Sequence, residues 1–172
     1  LLPTRRNGRR DAFTDSNDQR LGCLISMQIV QLSDPHIEAP ERQPVLGRNT
    51  ITQLQDAVHA VNTLSPVPDF VILTGDQTNE GAHDSFEQVK QVLGRLQMPC
   101  HLVLGNHDAR TPFRRIMLGE DTPSSDRYYY TVKQNGYRFI ILDTLDEGKV
   151  TGLMDKSQLD WLEAELAEEE EL

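Results

Sequence analysis

Three apolar runs of strand length, each ending in a short polar knot, constrain this chain more than any other feature. Met27-Gln28-Ile29-Val30-Gln31-Leu32 alternates and closes in Ser33-Asp34-Pro35-His36. Phe70-Val71-Ile72-Leu73 is continuous and is followed by Gly75-Asp76-Gln77-Thr78. Cys100-His101-Leu102-Val103-Leu104 closes in Gly105-Asn106-His107-Asp108. An unbroken apolar run suits a strand buried on both faces, as in parallel sheets covered by helices. Helical patterns lie between the runs. Residues 49–64 bring Ile51, Leu54, Val58, Val61 and Leu64 near one face, with Asn49 or Thr50 as N-cap. Ser65-Pro66-Val67-Pro68 ends that helix, and residues 82–97 turn Phe86, Val89, Val92, Leu93 and Leu96 inward.

Downstream, a short helix is predicted near residues 112–118. Residues 128–132 and 137–142 read as antiparallel strands joined at Asn135-Gly136, a hairpin signal. A last helix over residues 155–170 carries Leu159, Leu162 and Leu166 on one stripe. The order βαβαβ(α)ββα defines an α/β class with a sheet that is parallel at first.

In an open α/β sheet, the loops at the carboxyl ends of parallel strands converge on one crevice. Three consecutive units therefore gather Asp34, His36, Asp76, Asn106, His107 and Asp108 into one small volume. These are oxygen and imidazole donors with no thiolate among them, a set that suits Mn, Fe or Zn. One carboxylate can bridge two such ions. Asp-x-His alone is a weak signal. Gly-Asn-His-Asp in one given order is expected on the order of once per thousand chains of this length. The order of all three, each behind an apolar strand, carries the inference.

Composition narrows the partners. The 172 residues hold 17 Lys+Arg against 27 Asp+Glu, a net charge of −10. That mean field opposes general nucleic-acid or anionic-membrane binding, yet it leaves room for a phosphate ester held by metal ions. No apolar run reaches the roughly 20 residues of a membrane span. Cys23 and Cys100, alone and far apart, read as reduced cysteines of a cytoplasmic protein. Residues 1–26 carry a net +2 and show no periodicity, whereas the rest carries −12. They read as a disordered leader or upstream extension, with Met27 a plausible start. Residues 27–172 form the domain. The acidic run Glu168–Glu171 reads as a solvated helix end.

The three knots resemble the first signature blocks of the calcineurin-like metallophosphoesterases. Leu46-Gly47-Arg48-Asn49-Thr50 and Leu142-Asp143-Thr144…Gly152-Leu153…Gln158-Leu159-Asp160-Trp161-Leu162 are similar to a narrower branch, the class III 3′,5′-cyclic-nucleotide phosphodiesterases and related glycerophosphodiesterases. The resemblance covers residues 27–166. It implies the N-terminal part of a four-layer α/β/β/α sandwich and two divalent metal ions. Asp34 and His36 would ligate the first ion, Asp76 would bridge both, and Asn106 would ligate the second. A hydroxide between the ions would attack phosphorus of a cyclic nucleotide or small phosphodiester. His107 would serve the leaving oxygen, with Asp108 orienting its imidazole.

Two departures accompany the resemblance. Gln77 stands where the family has an apolar residue, an effect expected on packing. The family's later histidines, in His-His-Pro-Pro and Gly-His-x-His, have no counterpart here, since His59, His83 and His101 lie on helices or within a strand. The expectation is an N-terminal portion with one weakly bound ion, little activity alone, and possible homo-oligomerisation through an exposed sheet edge. A non-catalytic relic or interaction module that docks on a partner is the alternative.

Overall fold

The computed structural model describes residues 26–42 and 47–168, so the expected leader and the acidic tip fall almost wholly outside the described residues. The three apolar runs form a parallel sheet of β1 (Ile29–Leu32), β2 (Phe70–Thr74) and β3 (Cys100–Val103) in the order β1-β2-β3. Ile29 lies opposite Phe70, and Val71 opposite Cys100. Helix α1 (Thr50–Asn62) begins where the Asn49 side chain accepts from the Thr52 amide, and α2 (His83–Leu93) follows β2.

Both helices cover one face of the sheet. Leu54 and Val58 of α1 meet Val89, Val92 and Leu93 of α2 over Leu73 and Ile37, all of them buried. This is the burial that the 3.6-residue period of each helix predicts. Leu64, expected inward, is 39% exposed because α1 ends before it.

The opposite face of the sheet receives a β-hairpin of β4 (Tyr130–Gln134) and β5 (Tyr137–Ile141). Asn135 and Gly136 take φ of 52° and 77°, the paired left-handed geometry of a hairpin turn that follows strand twist. Alternation along the hairpin sends Phe139 against Phe70, with ring centroids 5.0 Å apart. Tyr130 points the same way, and its hydroxyl donates to the Leu102 carbonyl and accepts from the Leu102 amide. The hairpin is thus a second sheet packed face to face on the first, not a continuation of it. Its predicted first strand starts two residues late, since the Tyr128 amide donates to the Asp143 carboxylate instead of joining the ladder.

Helix α4 (Lys156–Ala167), capped by the Asp155 side chain, covers the hairpin's outer face. Trp161 lies 4.7 Å from Tyr129, and Glu165 accepts from the Thr131 hydroxyl. The layers run helices, parallel sheet, hairpin, helix, as the four-layer order requires. Of the expected apolar stripe of α4, only Leu162 is half-buried. Leu159 and Leu166 are 48% and 64% exposed, while Gln158 is fully buried. The short segment after β3 is α3 (Arg110–Phe113) running into a π-helical turn, Arg114–Leu118.

Burial pushes the Cys100 thiol up to about 12. Alkylation follows the thiolate. Iodoacetamide at pH 8 should therefore label Cys100 far more slowly in the native chain than in urea, read by peptide mass spectrometry. Equal rates would contradict the packing.

Candidate metal centre

The loop after β1 is zipped to the loop after β2 by main-chain hydrogen bonds beyond the strands. The Asp34 amide donates to the Gly75 carbonyl, His36 to Asp76, and Ile37 to Gln77. This stretch forces three of the six predicted residues into the left-handed region, with φ of 55° at Asp34, 44° at His36 and 46° at Asp76. Such conformations at residues other than glycine cost on the order of 1–3 kcal/mol each and persist where the surroundings over-determine them. No sequence pattern announces them.

The strain brings donors together. His36 Nε2 lies 3.7 Å from Asp76 Oδ2 and 3.9 Å from Asp34 Oδ1. The Asp76 carboxylate is steered from its other side, because Oδ1 accepts from the His107 amide at 3.0 Å. His36, Asp76 and His107 each offer a ligand atom within 4.8 Å of the others, and the His36 and His107 rings meet edge to face. Two donors at about 2.1 Å from one ion stand about 3.0 Å apart when adjacent and about 4.2 Å when opposite. The separations of 3.7 and 3.9 Å fall inside that window. The His36 Nδ1 is buried without a partner, so Nε2 is the ring's one polar outlet. The donors fit a divalent ion. Asp34, Asp76 and Asn106 also line one cleft of about 330 Å³ at the carboxyl ends of β2 and β3, which Thr144, Leu145, Val150 and Gly152 after β5 line as well.

Asp108 plays a different part from the one expected. The His107 Nδ1 lies 2.8 Å from the Asn79 carbonyl, which fixes the ring. The Asp108 carboxylate does not reach that imidazole. It accepts from the amides of Gly105, Gln77 and Thr78 and from the Thr78 hydroxyl, clamping the loop after β2 to the loop after β3. Its expected orienting role passes to a main-chain oxygen that no side-chain motif records. Gln77, by contrast, is the packing residue expected. It is fully buried, with its amide donating to the Val103 carbonyl.

Burial pushes the Asp108 carboxyl up to about 6, against the amides of Gly105, Thr78 and Gln77 and the Thr78 hydroxyl, which pull it down. Its folded value lies above the ordinary 3.8. Its contribution to stability is therefore complete below about pH 4 and fades as pH rises through about 6. Carboxyl ¹³C NMR of the metal-free chain should give a midpoint near 6, and a midpoint below 4 would contradict the burial.

Asp143, named in the sequence only as part of Leu142-Asp143-Thr144, has a role that the motif does not reveal. It has no exposed surface, and both its oxygens are held by Arg110, at 2.8 Å from Nε and 2.9 Å from Nη2. Gln158 closes over it, accepting from the Asp143 amide and donating to its carbonyl. An acid at the end of a strand gives no sign of such burial until its arginine is found 33 residues away. Of the other histidines, His59 is exposed and His101 is packed between Phe70 and Tyr130. His83 forms a separate cluster with Asp84 and Glu87, all exposed.

A layered α/β protein with carboxylates and imidazoles converging at the carboxyl ends of its parallel strands belongs to the class that binds divalent metal on strand-end loops. Residues 27–168 match the calcineurin-like phosphoesterase family, and the chain belongs to that family, which uses a dimetal centre. It is 33% identical over 137 residues to a protein of Pseudomonas aeruginosa named 3′,5′-cyclic adenosine monophosphate phosphodiesterase CpdA, covering 80% of this chain and 48% of that one. It is 30% identical over 141 residues to the probable glycerophosphodiester phosphodiesterase GpdQ of Arcobacter nitrofigilis, covering 81% and 52%. A 3′,5′-cyclic-nucleotide phosphodiesterase of Nostoc is 27% identical over 143 residues, covering 83% and 52%. The chain spans about half the length of these curated relatives.

Proposed function

We propose that this chain carries the metal-binding half of a phosphodiesterase that hydrolyses a cyclic nucleotide or another small phosphodiester. The approach of Asp34 and of Asp76 to His36 Nε2, with His107 close to both His36 and Asp76, carries the reading. These three would hold one divalent ion, Mn, Fe or Zn. Asp76 and the Asn106 amide oxygen offer a start toward a second. When bound, the ions supply charge that offsets the phosphodiester and activates water.

The remaining chemistry belongs to the chain. The Asn79 carbonyl can only accept, so the His107 proton facing it sits on Nδ1. The imidazolium form then keeps a second proton on Nε2, which it can give to the leaving oxygen. Asp108 keeps the Asp76 loop and the Asn106–His107 loop in register, which a metal site needs from the groups behind its ligands. The three donors of the first position support one ion held weakly by these residues alone, with little turnover.

Among the described residues, no helix is long and apolar enough to cross a membrane. The two cysteines without a disulfide pattern and the acidic balance support a cytoplasmic site of action. A second reading, a docking module, is favoured by the exposed Leu153, Leu159 and Leu166 and by β1 at the sheet edge. Pairing with a second copy through β1 is the form it would take.

The test is ³¹P NMR of dimethyl phosphate with the chain and Mn²⁺. A ligand beside a paramagnetic ion is broadened, so the wild type should change the phosphorus linewidth from that given by the same concentration of free Mn²⁺, and Asp76→Asn should leave the free-ion linewidth. A wild-type linewidth equal to that of free Mn²⁺ would overturn the phosphodiesterase reading.

A further inference from the structure

The His107 Nδ1 faces a main-chain oxygen, so whatever holds Asn79 decides how that ring is presented. The Asn79 amide is fixed by the ladder between the first two loops, donating to the Ile37 carbonyl at 3.1 Å. The peptide plane before Asn79 is therefore set, but the residue keeps its two soft torsions. Rotation about its N–Cα bond would swing Cβ and the carbonyl carbon together. Such a turn would take the oxygen away from His107 while every ladder bond stayed intact. A hold on the side chain stops it.

Glu38 supplies that hold. It stands two residues after His36, and its Oε1 accepts from the Asn79 Nδ2. A carboxylate acceptor makes this bond stronger than one between neutral groups. Glu38 is anchored in turn, because Gln88 of α2 donates through Nε2 to its carbonyl at 2.6 Å. Both Glu38 and Asn79 are half-buried. Hydrogen bonds thus run from α2 through Glu38 and Asn79 to the imidazole. The next residue, Glu80, pairs with Arg42, but both of those side chains are about half exposed. An open pair of that kind contributes little.

We propose that Glu38 is a positioning residue for His107. By holding the Asn79 side chain it keeps the Asn79 carbonyl on Nδ1, and so leaves Nε2 as the nitrogen that serves the leaving oxygen. The use of Nε2 rests on the phosphodiesterase reading; the residue that secures it is added here.

The test is ¹⁵N NMR of the His107 ring in the full 172-residue chain without metal, at about pH 9, where ordinary imidazoles are neutral. The shifts of the two nitrogens report which one carries the proton. The wild type should hold Nδ1–H. Glu38→Ala should move the tautomer ratio toward Nε2–H by about fivefold, the factor that one net hydrogen bond is worth. Asn79→Ala keeps the main-chain carbonyl but loses the side-chain amide, and it should do the same. The double variant should go no further than either single one, because both break one bond. Glu38→Gln retains an oxygen acceptor and should restore the wild-type ratio. Arg42→Ala should change it by less than about twofold. An Nε2–H wild type, an unmoved ratio in Glu38→Ala, an equal shift in Arg42→Ala or additive shifts in the double variant would overturn the assignment. None of these readings involves metal or ester, so that failure would leave the phosphodiesterase reading standing. Failure of the ³¹P measurement would instead leave Nε2 no leaving oxygen to serve, and would overturn the role while the tautomer result stood.

Discussion

Replacing Asp143 with alanine should destabilise the fold by about 3–5 kcal/mol, the cost of leaving a buried guanidinium without its counter-charge. Asp143 has no exposed surface, and four groups converge on its carboxylate: Arg110 through two nitrogens, the amides of Tyr128 and Leu145, and Arg127 at 3.7 Å. Those partners come from α3, the entry to β4, and the exit of β5. The variant therefore unfastens three parts of the chain at once. Urea denaturation should show the loss as a lowered midpoint, and a thermal scan as a fall of roughly 10 °C or more. The control is Lys156→Ala, which removes an exposed pair with Asp160 one helical turn away. It should change stability by less than about 0.5 kcal/mol. Similar losses in both variants would show that the Asp143 cluster does not bind the layers together.

Gly105→Ala should cripple metal binding by about 10- to 100-fold, the range seen when the support behind a ligand is lost. A Cβ at this position would stand 2.2 Å from both the Asp76 amide nitrogen and Asp76 Oδ1. One of those atoms is main chain, so a side-chain rotation cannot relieve the overlap. Either the Asp76 carboxylate leaves its place beside His36 or the two loops separate, and both outcomes disperse the donors. Gly119→Ala is the comparison. Its φ of 75° is unfavourable for alanine, but a Cβ there meets nothing within 4 Å. It should cost about 1 kcal/mol of stability and leave metal affinity as it was. Isothermal titration with Mn²⁺ separates the two variants, and equal affinities would contradict the close approach of the loops.

The sheet and the placing of polar residues at its carboxyl end were readable in the sequence because each depends on local chemistry. A continuous run such as Phe70-Val71-Ile72-Leu73 is buried on both faces wherever a parallel sheet is covered. The polar residues that follow it lie at the carboxyl end of the sheet by topology alone. Asn135-Gly136 dictates its own turn. What escaped depends on partners distant in sequence. The Leu159, Leu162 and Leu166 period shows that α4 has an apolar stripe, yet it says nothing of what lies beneath the helix. The chain beneath offers Thr131, Tyr129 and Arg138, so the contacts are made by Trp161 and Glu165, while Gln158 is the buried residue of the helix. Asp108 was read by adjacency to His107, whereas its carboxylate bonds to residues some 30 positions earlier. The Asn79 carbonyl that fixes His107 belongs to the main chain and has no signature in residue identity.

Mn²⁺ electron paramagnetic resonance reads whether the carboxylate–imidazole cluster holds an ion. Free Mn²⁺ gives a sharp six-line signal that weakens on binding. Titrating the ion with the chain should remove one equivalent for the wild type and much less for Asp34→Asn and Asp76→Asn, each of which replaces a charged carboxylate near His36 Nε2 with a neutral amide. Equal loss of signal in the wild type and both variants would place the ion elsewhere, and the carboxylate–imidazole cluster would not be a metal centre.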